Sequence, residues 1–151
     1  MMFFTHMAFA LVVALTAYHY FPSANLYIFI GLILFGAMLP DIDNKRSKIS
    51  SKMRPVAALI NPLTKHRGIF HSVFIPIGIY FLIDSFLEGY YGLALSLGYL
   101  SHIAIDGLTP AGVNFLHPIS TLRLHGPIMT NSFVEKILLA VLVVVLVWMV
   151  V

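Results

Sequence analysis

Five long apolar stretches, separated by short polar segments, restrict the fold of this chain more than any other feature of its sequence. A helix needs about 20 residues to cross a hydrocarbon layer about 30 Å thick, and several of the stretches approach that length. Of the 151 residues, 60% are hydrophobic and only 10% are charged, so a soluble domain of this size could not bury the apolar surface. The pattern predicts an all-α, polytopic integral membrane bundle with about five transmembrane helices, over Phe3–Phe21, Leu26–Leu39, Ile69–Leu87, Gly92–Ile105 and Phe133–Val151.

The stretches differ in length and in the residues that interrupt them. The second and fourth are short, so we expect their ends to lie near the lipid headgroups or to be shielded by protein. Pro76 predicts a kink in the third helix. The first stretch has no Lys or Arg before it and carries His6 and His19, which is not typical of a cleaved secretory signal. We therefore expect residues 1–151 to form a single membrane-embedded domain.

The basic residues are concentrated between the second and third stretches. Seven of the nine Lys and Arg residues lie between Lys45 and Arg67. Basic loops stay in the cytoplasm, so five crossings of the inner (cytoplasmic) membrane would leave the amino terminus inside and the carboxyl terminus outside. Because the positive charge is confined to one loop, binding to nucleic acid is not expected.

Histidine and aspartate residues recur at the predicted cytoplasmic ends of four helices. Only His19, Asp84 and Glu88 fall at the opposite ends. Ionisable groups within apolar helices are costly and tend to be functional. The residues that converge on one membrane level are His6, Asp41, Asp43, His66, His71, His102 and Asp106.

The spacing and chemistry of these residues favour a metal site. His102 and Asp106 are four residues apart and share one face of a helix. Asp41 and Asp43 would point the same way if their segment were extended. Imidazole and carboxylate, in a chain without cysteine, suit Zn²⁺, with Mn²⁺ or Fe²⁺ as alternatives, better than Mg²⁺ or Ca²⁺. Three histidines and two or three aspartates exceed the needs of one tetrahedral zinc, so one or two ions are expected.

Each part of this cluster also has an ordinary structural interpretation. His102 and Asp106 alone could be a hydrogen-bonded pair at a helix end, and Asp41 with Asp43 could end a helix among the headgroups. His6 could be an interfacial residue, and His117 and His125 are better interpreted as interfacial loop residues than as ligands. The convergence of several such residues, rather than any one of them, favours the metal site.

Four motifs occur in this order along the chain: "THMAFA" (Thr5–Ala10), "LPDID" (Leu39–Asp43), "HRGIFHS" (His66–Ser72) and "GYLSHIAIDGLTPAGV" (Gly98–Val113). Through these motifs the chain resembles the YdjM-like family of inner-membrane proteins, a LexA-regulated type regarded as metal-dependent hydrolases. The resemblance covers about residues 3–125. The family is in turn distantly similar to the zinc-dependent phospholipase C and P1 nuclease superfamily, but the absence of an H-x-x-x-E helix argues against a three-metal site. By this resemblance the metal ligands would be His6, Asp41, His71, His102 and Asp106.

The resemblance implies hydrolysis of a phosphoester in a lipid or another amphiphilic substrate at the cytoplasmic interface. The ion would lower the pKa of a bound water and polarise the phosphoryl oxygen. Asp43 is the candidate general base or bridging ligand. Arg67, assisted by His66, would hold the anionic head of the substrate. The segment "GLTPAGVNFLHPIS" would form a partly inserted lid, with Thr109, Pro110 and Gly112 in its turn.

Three other functions remain open at the level of sequence. A metal-dependent hydrolase of carboxylesters or amides would use the same metal site, whereas a serine hydrolase is disfavoured because no G-x-S-x-G motif occurs. A metal or proton transporter would need polar residues that continue through the membrane midplane to the far side. A membrane scaffold with a structural metal is the third alternative. Neither the exact substrate nor the oligomeric state follows from the sequence.

Overall fold

The structure, a computed structural model, describes residues 1–43, 69–87 and 89–151. Two short 3₁₀ helices are also present. Leu39–Asp43 follows the second α-helix, and Ile69–His71 precedes the third. No strand occurs within the described ranges, where Val113 and Leu124 form an isolated antiparallel bridge. The predicted all-helical fold is therefore confirmed for this part of the chain, whose α-helices are α1 (Phe3–Tyr18), α2 (Leu26–Met38), α3 (Phe74–Asp84), α4 (Tyr91–Gly107) and α5 (Phe133–Val150).

Helix α4 lies at the centre of the bundle. It packs against α1, α2 and α3, while α5 packs along α1. Most of its side chains are buried, in contrast to the largely exposed α5. The apolar core between α1, α2 and α4 is built from small residues such as Ala10, Ala14 and Ala94 around Phe29 and Ile33. Small side chains let these helices approach each other closely, as is common where membrane helices pack.

Helices α2 and α4 approach each other most closely, because each has a glycine where it contacts the other. A β-carbon added at Gly98 would lie 2.0 Å from the carbonyl oxygen of Ile33, and one added at Gly36 would lie 2.1 Å from that of Leu95. Both distances are far inside van der Waals contact, so only glycine fits at either position. The crossing brings the backbone of α2 next to the last turns of α4, where His102 lies.

The relation of these helices to a membrane differs from one helix to another. Within the described ranges, α5 is the one helix that is both long and apolar enough to span, and 11% of it is buried against the rest of the protein. Helices α1, α2 and α3 are apolar but shorter. The 16 residues of α1, for example, extend about 24 Å. Five complete crossings therefore stay a prediction.

Two details of the predicted third helix are wrong. The stretch does not continue as one α-helix from Ile69, because Ile69–His71 is a 3₁₀ helix and α3 begins only at Phe74. His71 consequently precedes α3 instead of lying within it. Pro76 is the third residue of α3, in the first turn, where its missing N–H has no intrahelical acceptor to lose, so it does not kink the middle of the helix.

The connection between α4 and α5 is folded without a regular element. Gly112 has a φ of 64° and donates its N–H to the carbonyl of Thr109 at 3.0 Å, so the predicted turn is present. The backbone of Gly126 also donates to Thr109, at 3.2 Å, which folds the connection back on itself. Val73 donates to the carbonyl of Phe115 at 2.9 Å and attaches the connection to the start of α3.

Candidate metal centre

Four separate parts of the chain place histidine and aspartate side chains at the same end of the bundle. His6 lies in the first turn of α1, and Asp41 in the 3₁₀ helix after α2. His71 ends the 3₁₀ helix before α3, while His102 and Asp106 lie in the last turns of α4. The alternating helix directions produce this meeting, since α1 starts where α2 and α4 end.

Asp106 is at the centre of the cluster. Its Oδ1 lies 3.3 Å from Nε2 of His6, and its Oδ2 lies 3.7 Å from Nε2 of His71 and 3.8 Å from Nε2 of His102. The amino group of Met1 also donates to Oδ1, at 2.8 Å. Asp106 is 97% buried, so it is a carboxylate held in a nearly closed pocket by surrounding nitrogen atoms.

The orientation of His102 is fixed by the neighbouring helix. Its Nδ1 donates to the backbone carbonyl of Ala37 in α2, at 2.7 Å. A carbonyl oxygen can only accept, so Nδ1 carries the hydrogen and, in the neutral ring, Nε2 keeps its lone pair. Nε2 faces the carboxylates and lies 4.0 Å from Oδ1 of Asp41. Ligating histidines are commonly oriented in this way, through a hydrogen bond from the nitrogen that does not bind the metal.

The imidazole rings pack against one another. The rings of His6 and His102 are stacked, with centroids 4.0 Å apart and planes 12° from parallel. His71 meets His102 edge-on at 5.5 Å. The packed rings keep Nε2 of all three histidines within 3.8 Å of the carboxylate of Asp106.

The donor atoms fit a divalent ion. His6, His102 and Asp106 form one group of donors, and Asp41, His71 and His102 form a second, with ligand atoms within 4.8 Å of one another in each group. A tetrahedral zinc with bonds of about 2.0–2.2 Å holds its ligand atoms about 3.4 Å apart, and the contacts of 3.3–4.0 Å are close to that spacing. Among the described residues, Nε2 of His102 is also buried without a hydrogen-bond partner. Because His102 belongs to both groups, the arrangement suits one ion or a closely spaced pair.

The other predicted site residues are placed less completely. Asp43 ends the 3₁₀ helix Leu39–Asp43, and its side chain is outside the described part of the structure. The assumption of an extended segment there is wrong, because successive residues of a 3₁₀ helix turn by about 120° and residues two apart do not share a side. His66 and Arg67 lie outside the described residues, so their catalytic roles stay predictions.

Several polar residues near the motifs are outside the two donor groups. His117 and His125 belong to neither group, and their interpretation as residues that bind no metal stays a prediction. His19 is exposed at the far end of α1 and contacts the carbonyl of Leu15. Ser72 accepts a hydrogen bond from the backbone of Phe74 at 3.2 Å, which is a local helix-start contact.

One buried carboxylate was not predicted from the sequence. Glu135 lies near the start of α5, in one of the five apolar stretches, and is fully buried. It accepts hydrogen bonds from the backbone N–H of Met2 at 2.6 Å, from the hydroxyl of Thr5 at 3.1 Å and from the backbone N–H of Asn131 at 2.5 Å. The sequence "SFVE" carries a signal for it, because Ser followed three residues later by Glu is typical of a capped helix start.

An apolar helical bundle with a spanning helix and buried histidine and aspartate residues at one end defines a helical membrane protein with a candidate metal centre. The chain belongs to the YdjM inner membrane protein family, whose model matches residues 1–151. The resemblance identified from the motifs is thereby confirmed. The more distant likeness to the phospholipase C superfamily stays an expectation.

Relatives from three bacteria agree with this family. The chain is 32% identical over 144 residues to inner membrane protein YdjM of Escherichia coli (strain K12) and of Shigella flexneri, an alignment that covers 87% of this chain and 67% of each relative. It is 31% identical over 108 residues to YvsG of Bacillus subtilis (strain 168), covering 70% of this chain and 67% of that protein. No solved structure matches the chain. The family name supports a membrane location.

Proposed function

We propose that this membrane protein is a metal-dependent hydrolase that acts on phosphoesters of lipids or other amphiphilic molecules. The observation that carries the proposal is the convergence of five buried or half-buried His and Asp side chains, from four parts of the chain, in two groups of three that share His102 and whose ligand atoms lie within 4.8 Å of one another in each group. A membrane helix that merely needs to span has no use for such a cluster, and each member raises the cost of insertion.

The metal ligands in this proposal are the five residues of the cluster. Zn²⁺ is the expected ion, one or two per chain, with Mn²⁺ and Fe²⁺ as alternatives. When bound, the ion would supply Lewis-acid polarisation of the phosphoryl group and a nucleophilic water near neutral pH. The ligands are His6, Asp41, His71, His102 and Asp106.

The protein's own groups have separate tasks in this reaction. The carbonyl of Ala37 holds the His102 ring so that Nε2 faces the donor group. Asp41 is the most exposed member, with 32% of its side chain accessible, compared with 4% or less for the others, so a substrate would approach from its side. Arg67 and His66 would hold the anionic head, and Asp43 would accept a proton or bridge the ions, as the sequence predicts.

The distribution of buried ionisable groups favours a hydrolase over a transporter. Among the described residues, the buried His, Asp and Glu side chains are His6, His71, His102, Asp106 and Glu135, all at the same end of the bundle. The core beyond them consists of apolar residues such as Phe29 and Ile33. A transport path would require polar groups that continue through that core. Chemistry at one surface requires only the cluster.

Metal analysis and a substrate screen test the proposal together. Purified protein in detergent should hold one or two equivalents of zinc, and it should release phosphate or a phosphorylated head group from at least one membrane phospholipid. His102→Ala should lose both properties. Metal-loaded protein that cleaves carboxylesters but no phosphoester would select the acyl hydrolase. Metal-loaded protein that hydrolyses nothing, yet moves Zn²⁺ into proteoliposomes, would replace the hydrolase by a transporter. Protein that binds no metal would reject the proposal.

A further inference from the structure

We propose that Glu135 is a positioning residue for the metal centre, acting through the first turn of α1. This inference rests on the proposed metal site and assigns a role to a helix that carries none of the family motifs. Glu135 is fully buried in a helix that is otherwise largely exposed. Burying a carboxylate is costly unless it is fully hydrogen-bonded, so its retention at this position calls for a specific use.

The carboxylate lies at the N-termini of two helices at once. It is the third residue of α5, whose start is also capped by Ser132. Its Oε1 accepts a hydrogen bond from the backbone N–H of Met2, the N-cap residue of α1. The side chain of Met2 itself makes no capping hydrogen bond. The dipoles of both helices favour a negative charge at these N-termini. Glu135 therefore supplies to α1 the cap that the sequence of α1 lacks.

The capped turn of α1 is the one that carries a candidate metal ligand. Glu135 contacts Met2 and Thr5, and the next residue, His6, lies 3.3 Å from Asp106. The ring of His6 is stacked on that of His102. Both contacts are made by Oε1 to groups three residues apart, which lie on one face of the first turn of α1. They hold that face of the turn against α5, and this limits the movement of His6, the next residue. Hydrogen bonds behind ligating residues commonly affect metal affinity in this way.

A purely mechanical role for Glu135 makes a different prediction. If Glu135 only attached α5 to the bundle, then any change that weakens the start of α5 would have the same effect on the metal. Ser132 provides the matched comparison, because its hydroxyl accepts from the backbone of Glu135 at 3.2 Å and stabilises the same helix end. No contact between Ser132 and α1 is found among the hydrogen bonds of the described residues. Thr5→Val provides the reverse comparison, since it removes one donor on α1 and leaves α5 intact.

The test is a titration of metal-free, full-length protein in detergent with Co²⁺, followed by the visible absorption of the bound ion. We expect Glu135→Ala to weaken Co²⁺ binding by about 10-fold and to change the band shape, because His6 is displaced. Thr5→Val should weaken binding in the same direction, and Ser132→Ala should stay within about 2-fold of the parent. Glu135→Gln, which keeps the shape and one acceptor oxygen, should lie between the parent and Glu135→Ala, and it decides the matter if Glu135→Ala does not fold.

A double-mutant cycle with His6 shows whether the effect passes through that residue. If it does, His6→Ala combined with Glu135→Gln should bind Co²⁺ no more weakly than His6→Ala alone, within about 2-fold. If the two substitutions weaken Co²⁺ binding independently, so that their fold losses multiply in the double variant, the positioning role is overturned. A parent-like affinity for Co²⁺ in Glu135→Gln would also overturn it. An equal loss in Ser132→Ala would assign the effect to α5 docking and also overturn it. A parent protein that binds no Co²⁺ and contains no other metal would reject the proposed function itself, which is a separate outcome.

Discussion

Replacing Gly98 with alanine tests how helix packing builds the metal centre. A β-carbon at this position would lie 2.0 Å from the carbonyl oxygen of Ile33. Non-bonded heavy atoms reach their best separation at about 3.5 Å, so α2 and α4 must separate by about 1.5 Å at this level. The obstacle is backbone, not the end of a flexible side chain, and local rearrangement cannot remove it.

The displacement would reach the site because Gly98 and Ile33 lie one helical turn from His102 and Ala37. The hydrogen bond between His102 Nδ1 and the carbonyl of Ala37 is 2.7 Å long. A further 1.5 Å or so takes it beyond the limit of about 3.2 Å. Overpacking costs about 1–3 kcal/mol and the lost hydrogen bond about 0.5–1.5 kcal/mol. We therefore expect the free energy of unfolding to fall by about 1.5–4.5 kcal/mol and metal affinity to fall about 10- to 100-fold.

Thermal unfolding in detergent and Co²⁺ titration measure these two losses. Gly31→Ala is the matched control, because it lies in α2 and a β-carbon there meets nothing within 4 Å. It should leave metal binding unchanged and leave stability the same or higher, since alanine favours a helix by up to about 1 kcal/mol over glycine. A Gly98→Ala protein with parental stability and parental metal affinity would refute the close α2–α4 contact and the role of Ala37.

Three further predictions concern the metal, the substrate and the topology. His102→Ala and Asp106→Ala should each lower the bound zinc measured by elemental analysis, and full occupancy in both would reject them as ligands. Arg67→Lys should keep the metal but lower kcat/KM for the phospholipid substrate by about 10- to 100-fold, because lysine lacks the guanidinium fork; full activity would exclude an anion-holding role. Reporters fused after Lys52 and Ser120 should be cytoplasmic and one after Val151 external, and a cytoplasmic carboxyl terminus would mean fewer or more crossings than five.

The sequence located the helices well because apolar composition is a strong signal in this chain. The predicted bounds of the first, second and last helices agree with α1, α2 and α5 to within a few residues. The start of the third was misplaced because hydropathy does not distinguish a 3₁₀ turn from an α-helix, and the apolar residues Ile69 and Phe70 precede the helix in sequence. The number of membrane crossings depends on the bilayer as well as the helix, and length alone leaves it open for α1–α3.

The meeting of the five candidate ligands was also predictable, since an ionisable residue in an apolar helix is rare enough to be informative. Two groups that support the cluster, the carbonyl of Ala37 and the carboxylate of Glu135, were not predicted from the sequence. The carbonyl of Ala37 orients His102, but every residue has a carbonyl and nothing in the sequence marks this one. Glu135 had a weak local signal in its capping pattern, yet its contact with Thr5 spans 130 residues of sequence and depends on how α5 packs along α1.

The chain connectivity relates the candidate metal centre to the concentration of positive charge. Asp43 ends the first 3₁₀ helix and Ile69 begins the second, and these two helices contact each other beside the cluster. The sequence between them, residues 44–68, contains seven of the nine Lys and Arg residues. Charge that only set the orientation in the membrane could be placed on any connection at that end, including Leu108–Ser132, which holds only Arg123. Its concentration in the segment flanked by Asp41 and His71 is what an anionic substrate would require, and this favours a phosphoester over a neutral ester.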